Sequence, residues 1–223
     1  MTNTPRGVLA TLLLLAAVAC STSNRASVQT TPKPATVHGD IANAKPDSSR
    51  FPFTEADVRF MSGMIHHHSQ AIAMAKMAPT HDAGPSLRIL AARIINAQGD
   101  EINLMSQWLR DHKQPVPEPN PKGMKMNMGG MEHVMLMPGM LSEEQMNQLD
   151  AARGIKFDEL FLTFMIQHHQ GALAMVKELF ATPGAGQDET TFKLASDVNA
   201  DQETEIERMQ KMLFTIKTEG RSP

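Results

Sequence analysis

The sequence contains one helical motif twice, and this internal repeat constrains the fold more than any other feature of the chain. The first copy reads MIHHHSQAIAMAK from Met64, and the second reads MIQHHQGALAMVK from Met165. Asp57 recurs as Asp158 at the same spacing. Repeated units of this kind place equivalent side chains in equivalent surroundings. We therefore expect two similar halves, each of which carries an adjacent pair of histidines: His67 with His68, and His168 with His169.

A second part of each half also repeats. The pair Gln98 and Glu101 recurs downstream as Gln202 and Glu205. The second copy is slightly longer between its two parts, at the turn-forming sequence TPGAGQDE, where an insertion is readily tolerated. Each half is therefore predicted to be a helical hairpin.

Capping residues and helix breakers set the expected boundaries. Thr54 and Ser142 are typical N-cap residues, and the prolines between 115 and 121 exclude regular structure. No sustained alternation of β-branched residues predicts a strand. The predicted fold is all-α, a four-helix bundle of the ferritin-like kind over residues 51–217. Its parts are repeat one (54–112), a methionine-rich linker (113–141) and repeat two (142–217), with helices near 54–78, 84–111, 155–180 and 188–217.

The N-terminus has the features of an export signal. Residues 1–19 carry Arg6 and a short apolar run, which fits a signal peptide. The single cysteine, Cys20, follows small residues as in a bacterial lipoprotein, so we expect it to be lipidated and to anchor the protein to a membrane. Ordinary secretion with cleavage near Ala19 is the alternative. Residues 20–50 are rich in Ser, Thr, Pro and Ala and are predicted to form a disordered tether.

Composition excludes several kinds of function. The net charge is −3, and no basic stripe is present, so we expect no nucleic-acid partner. A single cysteine excludes an internal disulfide and a multi-thiolate metal site. The 18 methionines are far above ordinary usage and require an explanation.

The repeated histidines fall on the apolar sides of their helices. At 100° per residue, Met64, His67 and His68 share one stripe with Asp57, whereas His66 points away and is predicted to be solvated. Burying polar groups without partners costs about 1–3 kcal/mol each, so these groups must be satisfied. Either they form a closed hydrogen-bond network, or the imidazoles bind a metal while carboxylates orient the rings. The predicted orienting residues are Asp57, Asp158, Glu101, Glu205, Gln98 and Gln202.

Methionines supply a second indication of a metal. The linker contains KGMKMNMGGMEHVMLMPGML, and a flexible loop has no packing reason to carry so many thioethers. The alternative is a hydrophobic flap over the bundle. Met64 and Met165 could be ligands or core, whereas Met175 is predicted to be packing. The candidate ligands of the linker are Met124, Met126, Met128, Met131 and His133.

Copper fits this donor set best. Thioethers select Cu(I), and imidazole also suits copper, including Cu(II). Calcium and magnesium need clusters of carboxylates, and structural zinc favours cysteine. A ferritin-type di-iron centre would place Glu three residues before each inward histidine, which neither copy does.

The pattern Asp-x-x-Phe-x-x-x-Met-Ile-x-His-His, followed by Gln-x-x-Glu-Ile-x-x-Met, resembles the domain of unknown function 305 family over about residues 51–215. The resemblance implies an exported ferritin-like helical bundle that binds copper, linked to copper resistance in some relatives. We therefore expect copper sequestration or delivery, with a possible copper-transfer protein as partner. A metal-dependent oxidase and a metal-free envelope scaffold are the alternatives.

Overall fold

Helices dominate residues 52–220, the part of the chain that the computed structural model describes. The predicted signal peptide, the predicted lipidation site at Cys20 and the whole of the predicted tether lie outside these residues. Within residues 52–220, no helix combines the length and hydrophobicity needed to cross a membrane. The elements are α1 (Glu55–Ala75), a 3₁₀ turn (Ala78–Thr80), α2 (Pro85–Asp111), β1 (Met124–Met128), β2 (Met131–Met135), α3 (Glu143–Ala151), α4 (Gly154–Ala181) and α5 (Glu189–Glu219).

The predicted helix starts are confirmed by reciprocal caps. Thr54 Oγ1 accepts from the Asp57 backbone N–H, and the Asp57 carboxylate accepts from the Thr54 N–H at 2.7 Å. Ser142 and Gln145 exchange equivalent bonds at the start of α3. Caps of this kind stabilise a helix by about 1 kcal/mol each. The end of α1 comes earlier than predicted, at Ala75, because a 3₁₀ turn with Pro79 at its start replaces the last α-helical turn.

The predicted absence of strands is wrong. Residues 124–128 pair antiparallel with residues 131–135, and Gly129 and Gly130 turn between them with φ of 64° and 86°. Two successive residues with positive φ are typical of the two-residue turns that join tight hairpins. Methionine alternates with other residues in this segment, but it is not a residue that usually indicates a strand. We call residues 124–135 the methionine hairpin.

The two halves pack through their histidine-bearing helices. α1 packs on α2, α4 packs on α5, and α1 packs on α4. The Asp57 carboxylate accepts from the backbone N–H of Gly186 at 2.7 Å, in the turn of the second half. Asp158 accepts from the N–H of Gly84 at 3.1 Å, in the turn of the first half. Each half therefore holds the turn of the other.

This arrangement corrects the predicted role of the two aspartates. Asp57 lies about 15 Å along α1 from His67, at 1.5 Å per residue, and Asp158 has the same separation from His168. Both carboxylates bind backbone N–H groups at the turns. The aspartates thus recur because the turns need them, and they lie away from the histidines.

A short segment after the methionine hairpin crosses the outside of α1 and α4. We call residues 137–141 the strap. A Cβ atom added at Gly171 would lie 2.0 Å from the Pro138 oxygen, so the strap approaches α4 more closely than any side chain allows. Gln70 occupies the equivalent position on α1, and its amide donates to the Pro121 oxygen at 2.8 Å and accepts from the Leu141 N–H at 2.6 Å. The segments on either side of the methionine hairpin are therefore fixed to α1 by one side chain.

Loss of this amide should destabilise the protein. Gln70→Leu removes these bonds and leaves the buried N–H of Leu141 without its acceptor, so we expect a loss of about 2–3 kcal/mol in the free energy of unfolding. Gln107→Leu is the matched control, because the Gln107 amide binds Asp111 on an exposed surface and should matter by less than about 0.5 kcal/mol. Urea unfolding measures both variants, and equal losses would contradict the role of Gln70.

Candidate metal centre

Four imidazoles meet where α1 faces α4. The ring centroids of His67 and His168 are 3.8 Å apart, with the ring planes at 38°. His68 lies 6.1 Å from His67, and His169 lies 6.4 Å from His168. All four side chains are fully buried. The two repeated pairs thus converge in one place, which we call the histidine cluster.

Three of these rings have an oxygen acceptor next to Nε2. His68 Nε2 lies 2.6 Å from Glu101 Oε2, and His169 Nε2 lies 2.7 Å from Glu205 Oε2. His67 Nε2 lies 3.0 Å from the carbonyl oxygen of Pro138, in the strap. Carbonyl and carboxylate oxygens only accept, so His67 and His169 donate from Nε2, and a neutral ring then keeps a free lone pair on Nδ1. The His68–Glu101 contact is close but lacks hydrogen-bond geometry. The pairing predicted for Glu101 and Glu205 is present.

Several buried polar atoms in and around the histidine cluster have no hydrogen-bond partner in the protein. Among the described residues, the buried atoms without a hydrogen-bond partner include the Nδ1 atoms of His67 and His169, both ring nitrogens of His68 and His168, and Oε1 of Gln98 and Gln202. Most of these atoms are acceptors, and acceptors cannot bond one another. Each would cost about 1–3 kcal/mol if left unpaired, against a typical total stability of about 5–15 kcal/mol. The hydrogen bonds among the described side chains leave these atoms unpaired, and a cation or a water molecule would complete the site.

The electrostatic surroundings keep the central rings neutral. Burial lowers the pKa of His67 well below its usual value, and the electrostatic influence of His68 and His169, which disfavours a positive charge on His67, lowers it further. Burial likewise lowers the pKa of His168, with added repulsion from His67 and His169. A neutral imidazole is the form that binds a metal.

Acidic residues gather at one approach to the cluster. The side chains of Glu101 and Glu205 are 18% and 25% exposed, so each carboxylate reaches solvent while contacting a buried ring. Partial burial raises the pKa of Asp201, and the negative charges of Glu101, Asp197 and Glu205 raise it further. Clustered negative charge of this kind raises the local concentration of cations.

The rings of His67 and His168 are tilted against each other at close range, and the four imidazoles do not surround a common point. Within residues 52–220, no set of three or more histidine, cysteine, aspartate or glutamate side chains already has the arrangement of a metal site. The close tilt between His67 and His168 would have to open for both rings to share one ion.

The core methionines lie among apolar side chains. Met64 and Met165 are fully buried, and they belong to two different apolar clusters. Met64 packs in the cluster of Phe60, Ile65 and Trp108. Their burial fits the role of core residues and leaves their part in a metal site a prediction.

His66 is buried, which corrects the prediction that it is solvated. The side chain is 5% exposed, and its Nδ1 accepts from the Asn120 N–H at 3.3 Å. The proline-rich part of the linker lies over this side of α1. A helical wheel shows the face on which a residue lies but not which distant segment covers it.

The linker residues predicted as ligands lie on the methionine hairpin and not in the histidine cluster. Met126 pairs in register with His133, and Met128 pairs with Met131. Met131 is 66% exposed, and Met126 is 37% exposed. Met124 pairs with Met135, nearer the bundle. The sequence does not predict the roles of Gln70 and Pro138, which join this hairpin to the cluster. The difference between Gln70 and Gly171 is one of several departures from the repeat and does not by itself indicate a contact.

The fold and the site together define a helical protein of two hairpins with a buried histidine–glutamate cluster at their junction. The chain belongs to the DUF305 family, a domain of unknown function whose family model matches residues 57–213.

Solved structures of this family are similar to the chain. A DUF305 protein from Streptomyces coelicolor, inferred to be secreted, is 27% identical with a TM-score of 0.59, covering 75% of this chain and 95% of that one. A DUF305 fragment from Deinococcus radiodurans is 29% identical with a TM-score of 0.58, covering 73% and 97%. CopM in its Cu(II)-bound form is 32% identical with a TM-score of 0.54, covering 71% and 96%. CopM has also been solved bound to Cu(I) and to Ag.

One curated relative matches a shorter stretch. An uncharacterized protein, L153, of Acanthamoeba polyphaga mimivirus is 40% identical over 57 residues. The match covers 26% of this chain and 38% of the viral protein.

Proposed function

We propose that this protein is an exported copper-binding protein that sequesters copper or delivers it, and so contributes to copper resistance. The observation that carries the proposal is the set of buried, unpaired acceptor atoms in the histidine cluster. A bound cation would satisfy several of them at once. Neutral imidazoles with carboxylates behind them are the usual arrangement around a protein-bound metal.

Copper is favoured by the chemistry of the donors and by the relatives. His67, His68, His168 and His169 would supply nitrogen ligands through their free lone pairs, with Met64 and Met165 as further candidates. Glu101 and Glu205 would orient the rings, and Gln98 and Gln202 would line the site. CopM, which is similar over most of its length, binds Cu(I), Cu(II) and Ag in its solved structures. Cu(I) is the favoured state, because this chain is rich in thioethers.

The methionine hairpin would capture ions outside the cluster. Met124, Met126, Met128, Met131 and His133 are its proposed ligands. The ferritin-like four-helix bundle, the signal peptide of residues 1–19, the lipid anchor at Cys20 and a copper-transfer partner belong to the same proposal. They describe a protein held at the outer face of a membrane.

The test is a Cu(I) titration under a competing chelator. Removing residues that only orient metal ligands usually costs 10–100-fold in affinity, so the variant His67→Ala, His168→Ala should lose more than about 100-fold at the cluster. The matched control is His81→Ala, His112→Ala, which removes two histidines that bond Asp150 and the Trp108 oxygen. Circular dichroism checks that both variants fold. Equal affinity in both variants would reject the cluster as the copper site.

A further inference from the structure

The methionine hairpin, the strap and α4 enclose a cavity that is lined by thioethers. The cavity has a volume of about 440 Å³ and lies between the hairpin and the helices α1 and α4. Five methionines contribute to its wall: Met124, Met126, Met135, Met137 and Met175.

The register of the hairpin explains why its methionines line one cavity. Met124 is directly opposite Met135, so their side chains lie on the same face of the ribbon. Met126 is two residues from Met124 and therefore also projects from that face. Alternate residues of a strand project from the same face, so the alternating methionines of this segment form one continuous sulfur-bearing surface.

The bundle brings two more methionines to this surface. A Cβ atom at Gly63 would lie 3.1 Å from Sδ of Met137 and 3.4 Å from the methyl carbon of Met175. Gly63 therefore gives these two side chains room to meet above α1. Met175 was predicted to be core packing, and it is 8% exposed at the edge of the cavity.

Packing alone does not account for this arrangement. Met126 is 37% exposed and Met135 is 45% exposed, so much of their surface contacts no protein. Exposed thioethers are liable to oxidation, and a flap that only covered the bundle would gain more from branched aliphatic side chains. The charged residues of the wall are Arg59 and Glu178, and Phe60 and Leu179 are apolar. A single carboxylate beside an apolar wall offers little to a hard cation, whereas sulfur ligands attract soft ones.

We propose that this cavity is a separate binding site for a soft monovalent cation, Cu(I) or Ag(I), held by thioethers of Met124, Met126, Met135, Met137 and Met175. The inference rests on the proposed function for the identity of the cargo, and it deepens the ion capture proposed for the methionine hairpin, with which it shares Met124 and Met126. Its ligands are distinct from the histidines of the cluster. The strap connects the two sites: Met137 lines the cavity, and the carbonyl of Pro138, the next residue, contacts His67 Nε2. Adjacent residues of the strap therefore contact the two proposed sites: Met137 contacts the cavity, and Pro138 contacts the histidine cluster.

The experiment is a titration of the full chain, labelled with ¹³C at the methionine methyl groups, with silver nitrate. We expect the five cavity methyl resonances to shift together at the first equivalent. The resonances of Met74 and Met209 should stay in place, because these fully buried residues lie in the apolar cluster away from the cavity. Cavity resonances that do not move, or that move only together with those of Met74 and Met209, would overturn the site.

A pair of variants gives the affinity. Met137→Leu, Met175→Leu preserves volume while removing two sulfur atoms and should weaken Ag(I) binding at the cavity at least tenfold. Met74→Leu, Met209→Leu is the matched control and should bind as wild type. Equal affinities of the two variants would overturn the site. If Met137→Leu, Met175→Leu does not fold, the methyl shifts of the wild-type protein during the silver titration are the test. Repeating the titration on His67→Ala, His168→Ala separates the two proposals, because cavity shifts that persist there support this site even if the histidine cluster binds no metal.

Discussion

A Gly171→Ala variant is expected to lose about 3 kcal/mol of unfolding free energy, the upper end of what an overpacked site usually costs. The added methyl group would lie 2.0 Å from the Pro138 oxygen and 2.6 Å from Cα of Gly139. Both are backbone atoms, so no side-chain rotation relieves the clash. The strap must lift from α4, which also separates the Pro138 carbonyl from His67 Nε2.

Gly99→Ala is the matched control for this prediction. Gly99 is also inside a helix, and a Cβ atom there meets nothing within 4 Å. Alanine favours a helix over glycine by about 1 kcal/mol, so this variant should be more stable than wild type. Urea unfolding at pH 7.5 measures both changes. A Gly171→Ala protein as stable as wild type would show that the strap does not lie against α4.

Acid is expected to destabilise the metal-free protein, through His67 and His168. The pKa of each ring is lowered well below 6.5 in the folded state, first by burial and then by neighbouring histidines. Below pH 6.5 these two histidines are protonated in the unfolded chain but stay neutral in the folded protein. The free energy of unfolding therefore falls as pH falls. The slope approaches about 1.4 kcal/mol per pH unit for each ring, or about 2.7 kcal/mol for the two. Above pH 6.5 this contribution is fully retained.

Urea unfolding of metal-free protein at pH 7.5, 6.5 and 5.5 measures this slope. The variant His67→Gln, His168→Gln cannot titrate at these positions, so its stability should change much less between pH 6.5 and 5.5. The control variant His133→Gln replaces an exposed histidine, so its free energy of unfolding should change with pH as in the wild type. Equal slopes in all three proteins would contradict the assignment of the acid effect to the buried rings.

Patterns in the sequence predict the helices, the inward position of the histidines and their glutamate partners. Caps at Thr54 and Ser142 and the helical period place the histidines inward, and the repeat of Glu101 as Glu205 indicates their partners. The caps and the inward face depend on residues within a few turns of one another, so spacing along a single helix is enough to predict them. The glutamate partners lie on the neighbouring helix of each hairpin, and the internal repeat is what indicates them.

Contacts between distant segments could not be predicted in this way. Asp57 binds a turn in the other half, Gln70 binds the linker on both sides of the methionine hairpin, and the linker covers His66. None of these contacts leaves a periodic signal. The methionine hairpin was missed for a different reason, since its alternation was visible but its residues were interpreted by their chemistry and not by their period.

We propose that the histidine cluster binds a metal and is not a closed polar network. The most direct measurement is ¹⁵N NMR of protein labelled at the histidine rings, titrated with Cu(I) without oxygen. We predict that the ring nitrogens of His67 and His168 shift on binding, while those of His81 and His112 keep their positions. Ring signals of the cluster that remain unchanged at saturating Cu(I) would contradict the account.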